Sequence, residues 1–147
     1  AYVRHLLCFN SFDFVKYRFK INLKKFYVRV IKKWIEITPE ELVRQHFIQY
    51  LLLEKKYPVS LMKMEHGIIY NKLNKRGDIV IYSHTGMPMI LIECKAPTIL
   101  LDEDVLMQAL RYNIKLKAPY LVLSNGIQTI CFHHSVQCEA IPEYNRV

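Results

Sequence analysis

The 147 residues are 52% apolar, 12% aromatic and 23% charged, which is enough length and apolar content for one self-supporting core. That composition excludes disordered, collagen-like and low-complexity sequence. No run approaches the roughly 18 to 20 uninterrupted apolar residues that cross a bilayer, and residues 1–9, interrupted by Arg4 and His5, are too short for a secretory signal. A soluble, cytoplasmic, single-domain protein is expected.

Lys plus Arg number 21 against 13 acids, a formal charge of +8, and the excess is one-sided. Residues 1–56 hold 12 basic and 5 acidic side chains, whereas residues 57–147 hold 9 and 8. Between residues 16 and 33 stand Lys16, Arg18, Lys20, Lys24, Lys25, Arg29, Lys32 and Lys33 with no acid, interleaved with Tyr17, Phe19, Phe26 and Tyr27. Such a stretch suits a polyanion-gripping arm; it equally suits a solvated strand face that its charges keep soluble.

In chain order, period-two alternation predicts strands over residues 12–19 and 26–34, joined by a polar turn at 22–25. Lys16, Arg18 and Lys20 then share one face, and Tyr17, Phe19 and Ile21 the other. Thr38-Pro39-Glu40-Glu41 is a helix start: a hydroxyl N-cap, Pro at N1 and Glu at N3. That helix carries Val43, Phe47, Tyr50, Leu51 and Glu54 along one face and stops before Pro58. Three extended runs follow, over 61–70, 78–82 and 89–95, linked by short turns as an antiparallel meander. A second helix is predicted over about 102–115, then strands over 120–123 and 127–132 around Asn125-Gly126, a tight-hairpin signal. The order is a β-hairpin, then α, β, β, β, α, β, β, a mixed α/β fold with helices on a twisted sheet.

The four cysteines, Cys8, Cys94, Cys131 and Cys138, have neither a CxxC pair nor a disulfide-framework spacing, which suits a reducing compartment. Cys131, His133, His134 and Cys138 could be drawn as a zinc cluster. Adjacent histidines on a strand point to opposite faces, however, so buried thiols and ordinary histidines are the expectation.

Polar residues interrupt the sheet pattern at one place. Met89-Ile90-Leu91-Ile92, a strand buried on both faces, runs into Glu93-Cys94-Lys95, where alternation puts Glu93 and Lys95 on one face and Cys94 on the other. Asp78 opens the preceding strand, so antiparallel pairing brings its carboxylate to the same edge as Glu93. Asp78 and Glu93, with the Cys94 carbonyl, offer hard oxygens to Mg²⁺, with Mn²⁺ as a substitute. Lys95 adds positive charge beside a phosphate or helps to activate water. That set suits phosphodiester hydrolysis; the plain alternative is a surface salt bridge between Glu93 and Lys95.

Asp78…Glu93-Cys94-Lys95 resembles the signature of the PD-(D/E)xK nuclease superfamily, and the α-β-β-β-α-β order resembles its core. Gly77 stands where the superfamily name has Pro. Thr38-Pro39-Glu40-Glu41-Leu42-Val43-Arg44-Gln45, Arg76-Gly77-Asp78-Ile79-Val80, Glu93-Cys94-Lys95-Ala96-Pro97, Gln108-Ala109-Leu110-Arg111-Tyr112-Asn113 and Ser124-Asn125-Gly126 are similar to successive blocks of the N-terminal nuclease domain of type I restriction enzyme R subunits. The likeness runs from about residue 12 to about residue 134.

The resemblance implies a restriction-endonuclease-like core over 37–134 behind a basic β-hairpin arm over 1–36, within one domain of 1–147. It implies that Gln108 and Tyr112, its Gln-x-x-x-Tyr element, hold a phosphate or nucleotide beside the metal from one helix face; a polar helix face with Tyr112 half buried is the plainer reading. It also implies a helix acid near the metal. Capping explains Glu41, whereas Glu40 lies with Val43, Phe47 and Leu51, so Glu40 is chosen with Glu41 as the alternative. Arg76 and Arg44 could touch phosphate or pair with nearby carboxylates.

No GxxxxGK[ST] loop exists, and Gly67, Gly77, Gly86 and Gly126 cannot cradle a nucleotide. Since 147 residues cannot hold an ATPase motor, an excised nuclease module or a small stand-alone relative is expected. The expected activity is Mg²⁺-dependent DNA endonuclease, Lys16, Arg18 and Lys20 gripping the backbone and a translocase motor or specificity subunit as possible partner. The alternatives are a silent nucleic-acid-binding module of the same fold and a structural module of a larger assembly.

Overall fold

The computed structural model describes residues 21–22, 25–28, 33–36, 38–66 and 76–146. Its first sheet is a three-stranded antiparallel meander of β1 (Ile21–Asn22), β2 (Lys25–Val28) and β3 (Lys33–Glu36). Asn22 pairs with Lys25, consistent with the polar turn predicted there, and Val28 pairs with Lys33. The strand predicted over 26–34 is therefore two strands, because the chain reverses between Val28 and Lys33. The strand predicted over 12–19, with Lys16, Arg18 and Lys20, lies outside the described residues.

Helix α1 (Pro39–Leu53) begins as its cap motif dictates. The Glu41 amide donates to Thr38 Oγ1 at 3.1 Å, and Pro39 occupies a position whose N–H has no helical partner. It ends where Lys56 turns left-handed (φ 63) and the Tyr57 amide reaches back to the Leu51 carbonyl at 3.0 Å. Replacing Thr38 by Ala is expected to cost about 1 kcal/mol. That loss shows as a lower urea midpoint at unchanged slope, and Thr38→Asp should recover most of it.

The second sheet has six strands in the order β4 (Met62–His66), β5 (Arg76–Tyr82), β6 (Pro88–Cys94), β7 (Tyr120–Ser124), β8 (Thr129–His133) and β9 (Val136–Cys138). Only β6 and β7 pair in parallel, and α2 (Glu103–Leu116) makes that crossover. Asp102 caps α2, accepting from the Val105 amide at 3.1 Å. Asn113 then ties its end to the start of β7: its side chain donates to the Ala118 carbonyl (3.0 Å) and accepts from the Ala118 amide (2.9 Å).

Strand β9 was not expected. It follows a two-residue reversal in which His134 and Ser135 both adopt left-handed φ (47° and 65°), the conformation of a type I′ turn. His-Ser lacks the Asn-Gly or Asp-Gly signature by which such turns are recognised in sequence. At the hairpin that was expected, Asn125 Oδ1 accepts from the Ile127 and Gln128 amides (3.0 and 2.8 Å), and Gly126 takes φ 86.

The sheet is buried on both faces. On one, Val43, Phe47, Ile48, Tyr50 and Leu51 of α1 pack with Ile79, Ile81, Ile90, Ile92, Cys94 and Val122. On the other, Val105 and Ala109 of α2 pack with Val80, Leu91, Leu121 and Leu123. The centre of β6 (Ile90-Leu91-Ile92) is fully buried, as expected of a strand with a helix on each side.

Candidate active site

The end of β6 sets the site. Leu91 belongs to the α2 face and Ile92 and Cys94 to the α1 face, so the pleat places Glu93 on the α2 face. The parallel register agrees, with Glu93 opposite Leu123 of the same face. Glu93 is 6% exposed. Lys95 Nζ lies 3.1 Å from Glu93 Oε1, and the Lys95 side chain is 19% exposed. The Lys95 amide donates to the Ser124 carbonyl at 2.8 Å, holding this residue one rung beyond the strand.

A surface ion pair stabilises by less than about 1 kcal/mol and is easily dispensed with. This pair is different, because its carboxylate is out of water at the end of a hydrophobic strand, where ionisation carries a desolvation cost. Charge held in such a place marks a candidate functional site. The ion pair of the plainer reading is present, with its acid buried rather than on the surface.

Asp78 stands in β5 one position before Ile79, which pairs with Ile92. The β5–β6 pairing ends at Ile79–Ile92, and Asp78 and Glu93 are the next residues beyond that last pair on the two strands. Arg76 opens the same strand. On the other side, Asp78 pairs with Glu65 of β4, a third acidic residue at this end of the sheet that the sequence motifs did not single out. The register shifts at Glu65/His66 because Gly77 is the extra residue between Arg76 and Asp78, and a glycine inside a strand run is the sequence signal of such a bulge.

Gln108 and Tyr112 are one turn apart on α2, the helix over the Glu93 face of the sheet. Gln108 is exposed and Tyr112 is half-buried against the Val80–Leu91–Leu123 cluster. Both thus lie on the helix packed on that face of the sheet.

Glu41, not Glu40, is the buried one: its side chain is 7% exposed against 43% for Glu40. One Glu41 oxygen pairs with Arg44 and the other accepts from Gln45 Nε2 at 3.0 Å. Glu40 lies 3.5 Å from Arg44, which is the carboxylate-pairing role foreseen for that arginine. The choice of Glu40 presumed a narrow inward stripe through Val43, Phe47 and Leu51. In fact α1 is buried round most of its circumference, and Glu41, Arg44, Gln45 and Ile48 are buried as well. The i, i+3 and i, i+4 spacing of Glu41, Arg44 and Gln45 is the signal that could have shown this cluster. It sits on the helix covering the Cys94 face, opposite the Glu93 face.

Cys94 packs its thiol into the α1-side core, as alternation foresaw. Cys131 is buried, Cys138 is half-buried rather than buried, and His133 and His134 are exposed. Among the described residues no three His, Cys, Asp or Glu side chains gather to hold a metal ion, so the zinc cluster does not form. No helix among them is long and apolar enough to cross a membrane.

A mixed sheet with one helix on each face, ending a central strand in a buried acid–lysine pair, defines an α/β domain with layering compatible with a nuclease-like fold. Residues 39–147 match the family described as Type I restriction enzyme R protein N terminus, and the chain belongs to that family. The match starts on the first residue of α1 and runs through β9 and the C-terminal tail, leaving the basic segment outside it. No curated protein matches the chain.

Proposed function

We propose that this chain is a divalent-metal-dependent DNA endonuclease module with a PD-(D/E)xK-like core, acting within a type I restriction enzyme. The observation that carries the reading is the ion pair of buried Glu93 with half-buried Lys95 at the end of β6, with Asp78 just beyond the last β5–β6 pair. The donor chemistry suits Mg²⁺, which takes one or two carboxylates and retains several waters rather than needing a complete protein cage. Asp78, Glu93 and the Cys94 carbonyl would hold it. Once bound, the ion supplies Lewis-acid neutralisation of the phosphate and makes a neighbouring water more acidic.

The chain's own residues do the rest. Lys95 pairs with Glu93 and orients it, and its ammonium offers positive charge to the phosphate as negative charge develops there. Gln108 and Tyr112 donate from α2 to fix the scissile strand. The helix acid that the resemblance implies would be Glu40 or Glu41, of which Glu41 is held by Arg44 and Gln45 and Glu40 is the more exposed. Lys16, Arg18, Lys20 and Arg76 contact the phosphate backbone, a sequence-independent grip that weakens with salt. With no base-reading motif in the chain, sequence choice falls to a specificity subunit, and movement along DNA to a translocase motor.

The test is nicking of supercoiled plasmid by the purified chain with Mg²⁺ or Mn²⁺, alone and with the partner subunits. Cleavage should vanish on chelation and in Asp78→Ala and Lys95→Ala, while circular dichroism stays unchanged. If both variants cut as well as the parent, the assignment is wrong. DNA binding that survives chelation, with no cleavage under any metal or partner, would instead make the chain a silent binding module.

A further inference from the structure

Two sulfur atoms meet at the far edge of the large sheet. Cys131 on β8 and Cys138 on the edge strand β9 are direct cross-strand partners. Opposed residues of an antiparallel pair have Cα atoms about 4.5 to 5.5 Å apart, inside the span of roughly 4.4 to 6.8 Å that a disulfide accepts. Both cysteines carry free thiols, their sulfurs are 2.8 Å apart, and both approach the Ala140 carbonyl, at 3.9 and 3.8 Å. Cys131 is fully buried and Cys138 half-buried, so a reagent from solvent reaches Cys138 first.

We propose that Cys131 and Cys138 form a dithiol modification site, which a low-molecular-weight disulfide converts reversibly into a cross-strand disulfide. The Cys138 thiolate attacks one sulfur of the incoming disulfide (RSSR), forming Cys138–S–S–R and releasing the first RS⁻, which takes up a proton. The Cys131 sulfur then attacks Cys138 Sγ, giving up its own proton and expelling the second RS⁻. In sum, two protein thiols and RSSR become one protein disulfide and two RSH. Burial first, then the hydrogen bond and charge of Cys138, hold the Cys131 thiol above the ordinary cysteine range. Proximity offsets that handicap in the second step, because the two sulfurs are already together.

The bond would fasten the three-residue edge strand and, through it, the tail that folds back on the segment just after α1. In that tail Ile141 is buried, the Tyr57 hydroxyl donates to the Pro142 carbonyl at 2.7 Å, and the Tyr144 amide donates to the Lys55 carbonyl at 3.0 Å. None of these groups belongs to the proposed nuclease site, so the test is independent of cleavage.

The full chain is equilibrated with excess glutathione disulfide, quenched in acid, alkylated with a maleimide and digested with trypsin. Residues 118–146 contain no internal Lys or Arg, so one peptide carries Cys131 and Cys138 without Cys8 or Cys94. That peptide should emerge unalkylated and two hydrogens lighter than its reduced form, and dithiothreitol should restore two alkylation sites. Cys138→Ser should abolish the mass loss, and Cys131→Ser should leave a glutathione adduct on Cys138. A wild-type peptide that keeps two maleimides, or halts at the Cys138 adduct, would overturn the proposal.

Discussion

Glu93→Gln is expected to lower divalent-dependent DNA cleavage by roughly 10²–10³-fold, the loss seen when one preorganised electrostatic group is removed from an active site. Gln keeps the shape and can still accept from Lys95, so neither a cavity nor a lost contact accompanies the change. What disappears is the negative charge: the amide oxygen is a poorer ligand for a hard cation, and Lys95 loses its counter-ion. Lys95 is partly exposed and can be rehydrated, so stability should change far less than activity. The comparison is single-turnover nicking at saturating DNA over a Mg²⁺ titration. A lower maximal rate and a rightward-shifted metal dependence, with an unchanged urea midpoint, is the expected pattern. A rate within two-fold of the parent at every metal concentration would remove Glu93 from the chemistry.

The second large effect concerns stability. Arg44→Ala strands the buried Glu41 carboxylate with only Gln45 beside it and should cost about 3–5 kcal/mol, as breaking a buried pair by removing one partner does. Both partners are almost entirely out of water, with 3% and 7% of their side chains exposed, so solvent cannot replace the lost charge. Removing both charges together, as Arg44→Met with Glu41→Leu, should recover most of that loss, because the apolar pair has no ionic desolvation to offset. Urea denaturation of the parent, Arg44→Met, Glu41→Leu and the double variant gives the coupling energy directly. If Arg44→Ala costs less than about 1 kcal/mol, the pair behaves as a solvated surface bridge. Activity of the double variant separates roles: intact cleavage would make the cluster purely architectural, and lost cleavage in a stable protein would make Glu41 the helix acid.

Much of this fold was readable in the residues. Thr38-Pro39 opened α1 and Asp102 opened α2, because caps are local interactions between neighbours in the chain. The Met89–Ile92 run identified the doubly covered strand, and alternation then put Cys94 into one core and Glu93 and Lys95 on the opposite face. The parts that were not readable depend on contacts between distant segments or on weak turn chemistry. The His134-Ser135 turn has no glycine or asparagine to announce it, so the sequence alone does not reveal β9 or the partial exposure of Cys138. The choice between Glu40 and Glu41 turned on how widely α1 is buried, which its neighbours decide and its periodicity does not. Asn113 shows the converse: it sits in a block that resembles the nuclease family, and its visible work here is to lock α2 onto β7.

The most direct measurement is a crystal structure of the chain soaked in Mn²⁺, with the ion located by its anomalous scattering. The account predicts a single strong peak at the end of β6, touching the carboxylates of both Asp78 and Glu93, with Lys95 Nζ alongside. A peak that bypasses these two acids, or an Asp78 carboxylate on the Cys94 side of the sheet, would contradict it.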